Sequence, residues 1–220
     1  MRIQSNSEMG KQFAERILSE HYNRTSIGRK GWHRSDAISC PLKAYWRITG
    51  EVQGEYRSRD VGIVMIGEMG HQVLERGFDA QEKVYNIAGV QVTIDALHGE
   101  FPVEIKTTRK QIYTKDAIPK DWVEQLAIGM SVMNVEKGYL MIINIINVAL
   151  TVFEFDMSDQ ERELTRNAFI WQIMNVAEAV EKRNPAQLKP RYEDCFWCVY
   201  RPSRANINCP YYKKVEKDAT

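Results

Sequence analysis

The chain has 220 residues, of which 44% are hydrophobic and 27% charged; 30 Lys and Arg against 29 Asp and Glu leave a formal net charge of +1. These values exclude disordered, collagen-like and disulfide-scaffold classes, and the length suits one domain with appendages. A near-neutral total provides no global field for nucleic acid, so any such binding must rest on local basic patches.

The opening residues, MRIQSNSEMGKQF, lack the apolar run of a signal peptide. The longest greasy stretch, Tyr139 to Phe153, is interrupted by Asn144 and Asn147 and is shorter than the ~20 apolar residues a bilayer span requires. The expectation is a cytoplasmic protein with no membrane role, in which four cysteines serve as metal ligands or free thiols rather than disulfides.

In chain order, residues 8–22 have the spacing of a short amphipathic helix, followed by a cationic linker containing Gly28 and Gly31. Ser35 or Asp36 can cap a helix over Ala37–Ile48 that carries Cys40 and ends at Gly50. After a charged loop at 51–60, a helix is predicted from about Val64 to Phe78. The period then shortens toward two. Val84–Ala88, Val90–Ala96 and Phe101–Thr107 read as strands, with turns at Gly89 and His98-Gly99. A helix follows near Asp121–Met133, with Trp122, Leu126, Met130 and Met133 on one stripe. Tyr139–Ile145 and Ala149–Phe155 read as a hairpin around Asn147. Ser158 and Glu161 form a capping box for a long helix bearing Phe169, Ile173, Val176 and Val180, ended by Pro185 and Pro190. This order predicts an α/β core, a mixed sheet flanked by helices, with the cysteines outside it at both ends.

The most informative stretch runs from Val92 to Lys106. Asp95 sits late in one predicted strand, and Glu104 and Lys106 lie two residues apart in the next. Strand side chains alternate faces, so Glu104 and Lys106 point the same way, and the intervening turn brings Asp95 beside them. Two converging carboxylates repel unless a cation neutralises them, and a hard divalent ion such as Mg²⁺ or Mn²⁺ suits oxygen donors. Such an ion activates water and stabilises charge on a phosphoryl oxygen, while a neighbouring lysine can position the water. On the bland reading, the same residues are a solvated strand face. Upstream, Gly67 and Gly70 permit close helix packing, and His71 offers a nitrogen ligand. Downstream, Gln125 lies one turn from Trp122 and can bond a phosphate or a metal-bound water.

This set, Gly-x3-His, Asp, Glu-x-Lys and then Gln-Leu on a helix, resembles the RecB-type branch of the PD-(D/E)XK nucleases. The resemblance implies a restriction-endonuclease-like core over about residues 60–183. It implies that His71, Asp95 and Glu104 hold Mn²⁺ or Mg²⁺ with the Ile105 carbonyl. It makes Lys106 the catalytic lysine and Gln125 the glutamine of the family's Gln-x3-Tyr motif. Gly129 stands where tyrosine is usual, and Tyr113 or Tyr139 could substitute.

Cys40 is followed by Pro41, and Cys195, Cys198 and Cys209 form Cys-Phe-Trp-Cys, ten residues, then Cys-Pro. The Cys195/Cys198 spacing lets two thiolates bind one metal from a tight turn. Spacing alone leaves zinc, an iron–sulfur cluster and unrelated buried thiols open. One cysteine before the nuclease core and three after it is similar to the CRISPR-associated exonuclease family Cas-four and to the helicase-nuclease subunit AddB. The resemblance implies a [4Fe–4S] cluster, with [2Fe–2S] and Zn²⁺ as alternatives, held in a subdomain built from about residues 30–50 and 186–212. A clasp between Cys40 and residues 195–209 would close a long loop, worth about 4–5 kcal/mol of chain entropy in the simple model.

Cations cluster locally. The run Lys106, Arg109, Lys110, Lys115 starts at the proposed site, with Tyr113 among them; Arg34, Arg57, Arg59, Arg201 and Arg204 lie in other patches. Trp32, Tyr56, Tyr113 and Tyr200 could stack on bases. The bland reading of each patch is a solvated face.

The reading is therefore a metal-dependent deoxyribonuclease. The resemblance implies an exonuclease on single-stranded DNA ends, acting in CRISPR spacer acquisition with the integrase proteins Cas-one and Cas-two, its oligomeric state open. The alternatives are a phage or host RecB-type recombination and repair exonuclease and, in another class, a non-catalytic cysteine-metal module that binds nucleic acid.

Overall fold

The computed structural model describes residues 30–52, 65–67, 69–70, 77–78, 80–192, 195, 198, 200 and 209–211. The expected helix at 8–22, His71, Arg57, Arg59, Tyr56, Arg201 and Arg204 lie outside these.

A two-residue strand, β1 (Trp32–His33), leads into α1 (Arg34–Ile38) and α2 (Pro41–Thr49). The single helix expected over Ala37–Ile48 is two, because Pro41 starts a new helix at its first position and Cys40 becomes the cap between them. Gly50 ends α2 in the left-handed conformation, as its sequence position suggests. Asp36 ties this corner together. Its carboxylate accepts the His33 N–H at 2.8 Å and pairs with Arg47 at 2.7 Å, both side chains nearly buried. Residues 65–67 and 69–70 are helical, within the predicted Val64–Phe78 helix.

The strands β2 (Ala80–Ile87), β3 (Val90–His98) and β4 (Phe101–Thr108) form an antiparallel meander. Gly99 supplies the positive φ that a two-residue hairpin between His98 and Phe101 needs. Helix α3 (Lys120–Met133) crosses over to β5 (Lys137–Asn144), which pairs with β4 in parallel; β6 (Ala149–Asp156) returns antiparallel. The turn between β5 and β6 is held by the Asn144 side chain, which accepts the Ile146 N–H at 2.8 Å. Helix α4 (Asp159–Glu181) closes the core, with the Ser158–Glu161 capping box in place. Its buried stripe is Phe169, Ile173, Val176 and Ala179, with Val180 packed at the margin. The helical stripe expected on α3 divides: Leu126 and Met130 are buried, Trp122 joins their cluster, and Met133 packs with Ile94 and Phe169 instead. The resulting α/β architecture is a mixed sheet flanked by helices, its strands within a few residues of the expected bounds.

One detail of the sheet sets up the site. β2 pairs with β3 from Val90 to Leu97. The opposite edge of β3 is divided: β1 pairs with Val90 and Gln91, and β4 with Ala96 to His98. Between these two pairings β3 and β4 part company. The notch so formed is flanked by Asp95 on one strand and Glu104 on the other.

Two close approaches fix the layers around β4. A side chain at Gly70 would meet the Thr107 methyl at 2.8 Å, and one at Gly129 would meet Ile94 at 2.9 Å. The first places the short helical segment against the residue after Lys106, as expected of small residues there. The second makes position 129, where the resemblance would have a tyrosine, a buried contact of α3 with β3. We expect Gly70→Ala to destabilise by about 1 kcal/mol, the ~1 kcal/mol gain in helix propensity offsetting part of a larger overpacking cost. Combining it with Thr107→Ser should recover that loss. Additive urea-unfolding energies in the double variant would refute the contact.

Candidate active site

Alternation along β4 sends Val103 and Ile105 into an apolar cluster with Met141, while Glu104 and Lys106 face Gln125 on α3. The Lys106 ammonium lies 2.6 Å from Glu104 Oε1 and donates to Gln125 Oε1 at 2.7 Å. The crossover helix thus reaches back over the strand it left, and three of the expected residues meet in one network. Asp95 joins through the main chain: its Oδ2 accepts the Ile105 N–H at 2.8 Å, taking over where the β3–β4 ladder stops.

The network contains a fifth member. Arg34 follows β1 directly, and its guanidinium forks onto Glu104, Nη1 to Oε2 at 2.9 Å and Nη2 to Oε1 at 3.1 Å. Nη1 also donates to the Gln125 carbonyl at 3.2 Å. The sequence placed Arg34 in a surface basic patch; it is instead turned inward. Only the division of the β3 edge brings β1 near enough, and no spacing rule conveys that.

Glu104 is 2% exposed. Burial alone would push its carboxyl pKa up, but the charges of Arg34 and then Lys106, with their hydrogen bonds, outweigh that and hold it below the ordinary value. Glu104 is therefore a buried carboxylate kept ionised by two cations. Its oxygens and those of Asp95 are the hard donors that Mg²⁺ or Mn²⁺ prefers, so the residues present fit such an ion. Among the described residues no three His, Cys, Asp or Glu side chains are grouped as the ligands of one metal.

Of the proposed nucleic-acid residues, Arg109, Lys110, Tyr113 and Lys115 all lie exposed after the end of β4, Tyr113 at 62% and Lys115 over the Phe155 ring at 5.6 Å. They leave the carboxyl end of the parallel β4–β5 pair, the side on which α/β sheets carry their ligands. Tyr200 corrects an expectation. It is 1% exposed, in the core with Tyr45, Trp46 and Val176, and is not free to stack on a base. Trp32 likewise packs against two core clusters, and Tyr139 stacks edgewise on His98 and Phe101.

The four cysteines line one pocket with Leu42, Trp46, Tyr200 and Tyr211. Burial pushes the Cys198 thiol up to about 11, opposed by a main-chain bond from Tyr200 and the Lys43 charge. The four thiols share this apolar pocket, but among the described residues no three of them are grouped as the ligands of one metal.

No protein-family model and no curated protein matches this sequence. Among solved structures, the chain is similar to the crystal structure of SSO0001, with 18% identity, 91% of this chain and 98% of that one covered, and a TM-score of 0.53. What the two share is the fold. The alkaline exonuclease LHK-Exo from Laribacter hongkongensis and its complex with dAMP also match, at 14% and 16% identity, each over 76% of this chain and 98% of theirs, with TM-scores of 0.44 and 0.42. Among the described residues no helix is long and apolar enough to cross a membrane.

Proposed function

We propose that this protein is a metal-dependent deoxyribonuclease, an exonuclease on single-stranded DNA ends. The observation that carries the reading is the Glu104–Lys106–Gln125 network beside Asp95, in a notch of the sheet. A structural ion pair would need neither the second carboxylate nor the glutamine. A divalent cation held by Asp95, Glu104, the Ile105 carbonyl and His71 would activate water and stabilise charge on the phosphate. Lys106, fixed by Gln125 and Glu104, orients the attacking water and neutralises the developing phosphorane. Asp95 keeps Ile105 in register with the site. Arg109, Lys110, Tyr113 and Lys115 lead the strand toward it by phosphate pairing and base stacking. Attack on this plan leaves 5′-phosphate products.

We assign Cys40, Cys195, Cys198 and Cys209 to a [4Fe–4S] cluster acting first as a structural clasp. The biological role we favour is the trimming of DNA for CRISPR spacer acquisition, with Cas-one and Cas-two as partners.

End-labelled single strands incubated with Mn²⁺, Mg²⁺ or chelator test the activity. Asp95→Asn is the informative variant, since its amide oxygen still accepts the Ile105 N–H while the charge is lost. Degradation with Mn²⁺ by the wild type, abolished by chelator and in Asp95→Asn, is the expected result. Binding without degradation, or cleavage indifferent to chelator, would instead favour a non-catalytic binding module or another mechanism. Visible absorbance of an anaerobic preparation separates iron from zinc, because zinc thiolates are colourless.

A further inference from the structure

Arg34 has no part in the chemistry just proposed, yet it occupies the site's central carboxylate. It comes from β1–α1 rather than from β4, from the corner where Asp36 holds the His33 N–H and pairs with Arg47. Its fork covers both oxygens of Glu104, and Lys106 takes a second position on Oε1. An ion bound directly to Glu104 needs an oxygen at roughly 2.0–2.2 Å, inside the space that a guanidinium holds at hydrogen-bond distance. Charge adds to the conflict. Among the described residues Asp95 and Glu104 balance Arg34 and Lys106, and a divalent ion entering that set would leave four positive charges against two negative.

We propose that Arg34 is an internal counter-ion that competes with the divalent cation for Glu104, so that metal entry requires the guanidinium to leave the carboxylate. Arg34 is then a positioning residue of the metal-free state. It keeps a buried carboxylate ionised and correctly aimed until the ion replaces it. This inference rests on the metal-dependent reading above.

Direct Mn²⁺ binding tests it, by calorimetry or by loss of the free Mn²⁺ paramagnetic signal, on the full chain at one pH. The proteins are wild type, Arg34→Gln, Arg34→Lys and Asp95→Asn. Arg34→Gln should bind Mn²⁺ about tenfold or more tightly than wild type, because the competing charge-assisted bonds are gone. Arg34→Lys, which keeps a charge but cannot fork, should fall between them and decides the matter if the glutamine variant does not fold. Wild-type binding that is lost in Asp95→Asn but is unchanged or weaker in the folded Arg34 variants would overturn the competition and leave the nuclease reading standing. Absence of Mn²⁺ binding in all four proteins would overturn both.

Discussion

Glu104→Ala is expected to destabilise the metal-free protein by about 3–5 kcal/mol at neutral pH, the cost of breaking a buried ion pair from one side. The loss does not come from a cavity alone. Arg34 and Lys106 would be left facing each other in a half-buried site, with Gln125 as their remaining acceptor among the described residues. Urea unfolding in chelator measures it directly, and a loss below about 1 kcal/mol would mean water relieves the pair. The pH dependence has a definite sign. Because the folded-state pKa of Glu104 lies below its ordinary value of 4.5, its contribution is fully present above that value and disappears as pH falls through the folded-state pKa. Glu104→Gln should therefore be less stable than wild type at pH 7, and the difference should shrink on acidification below pH 4.5. A difference that is constant with pH, or grows in acid, would contradict the charged assignment.

Lys106→Met is expected to separate chemistry from folding. Glu104 keeps the Arg34 fork, so the buried carboxylate retains a cation and the variant should fold with a melting temperature near that of wild type. Cleavage should fall by about 10²–10⁴-fold, the usual effect of removing a positioned proton-transfer or charge-stabilising group. Mn²⁺ binding, which depends on the carboxylates, should survive. A folded Lys106→Met retaining more than a tenth of wild-type cleavage would remove the lysine from the mechanism. Gln125→Ala should have a smaller effect, because it loosens Lys106 without removing it.

Much of this was legible in the residues. The two-residue period of Glu104 and Lys106 put them on one face, and a capping box marked the start of the last helix within a residue. These signals are local: strand alternation and helix caps depend on neighbours a few residues away. The misread side chains share one cause, because each concerns a contact between distant segments. Arg34 looked like a surface cation and is half-buried against a strand seventy residues away. Tyr200 looked like a base-stacking ring and fills the core beside Tyr45. Gly129 looked like a lost motif residue and is a packing contact with Ile94.

The sequence by itself determined the element order, the mixed sheet and the shared face of Glu104 and Lys106, because hydrophobic period and strand alternation are written in one dimension. Only the tertiary structure decided that β1 and β4 share an edge of β3 and that the resulting notch takes an arginine. Such facts follow from burial and charge compensation between remote segments, which depend on where the chain returns to itself rather than on what lies beside each residue.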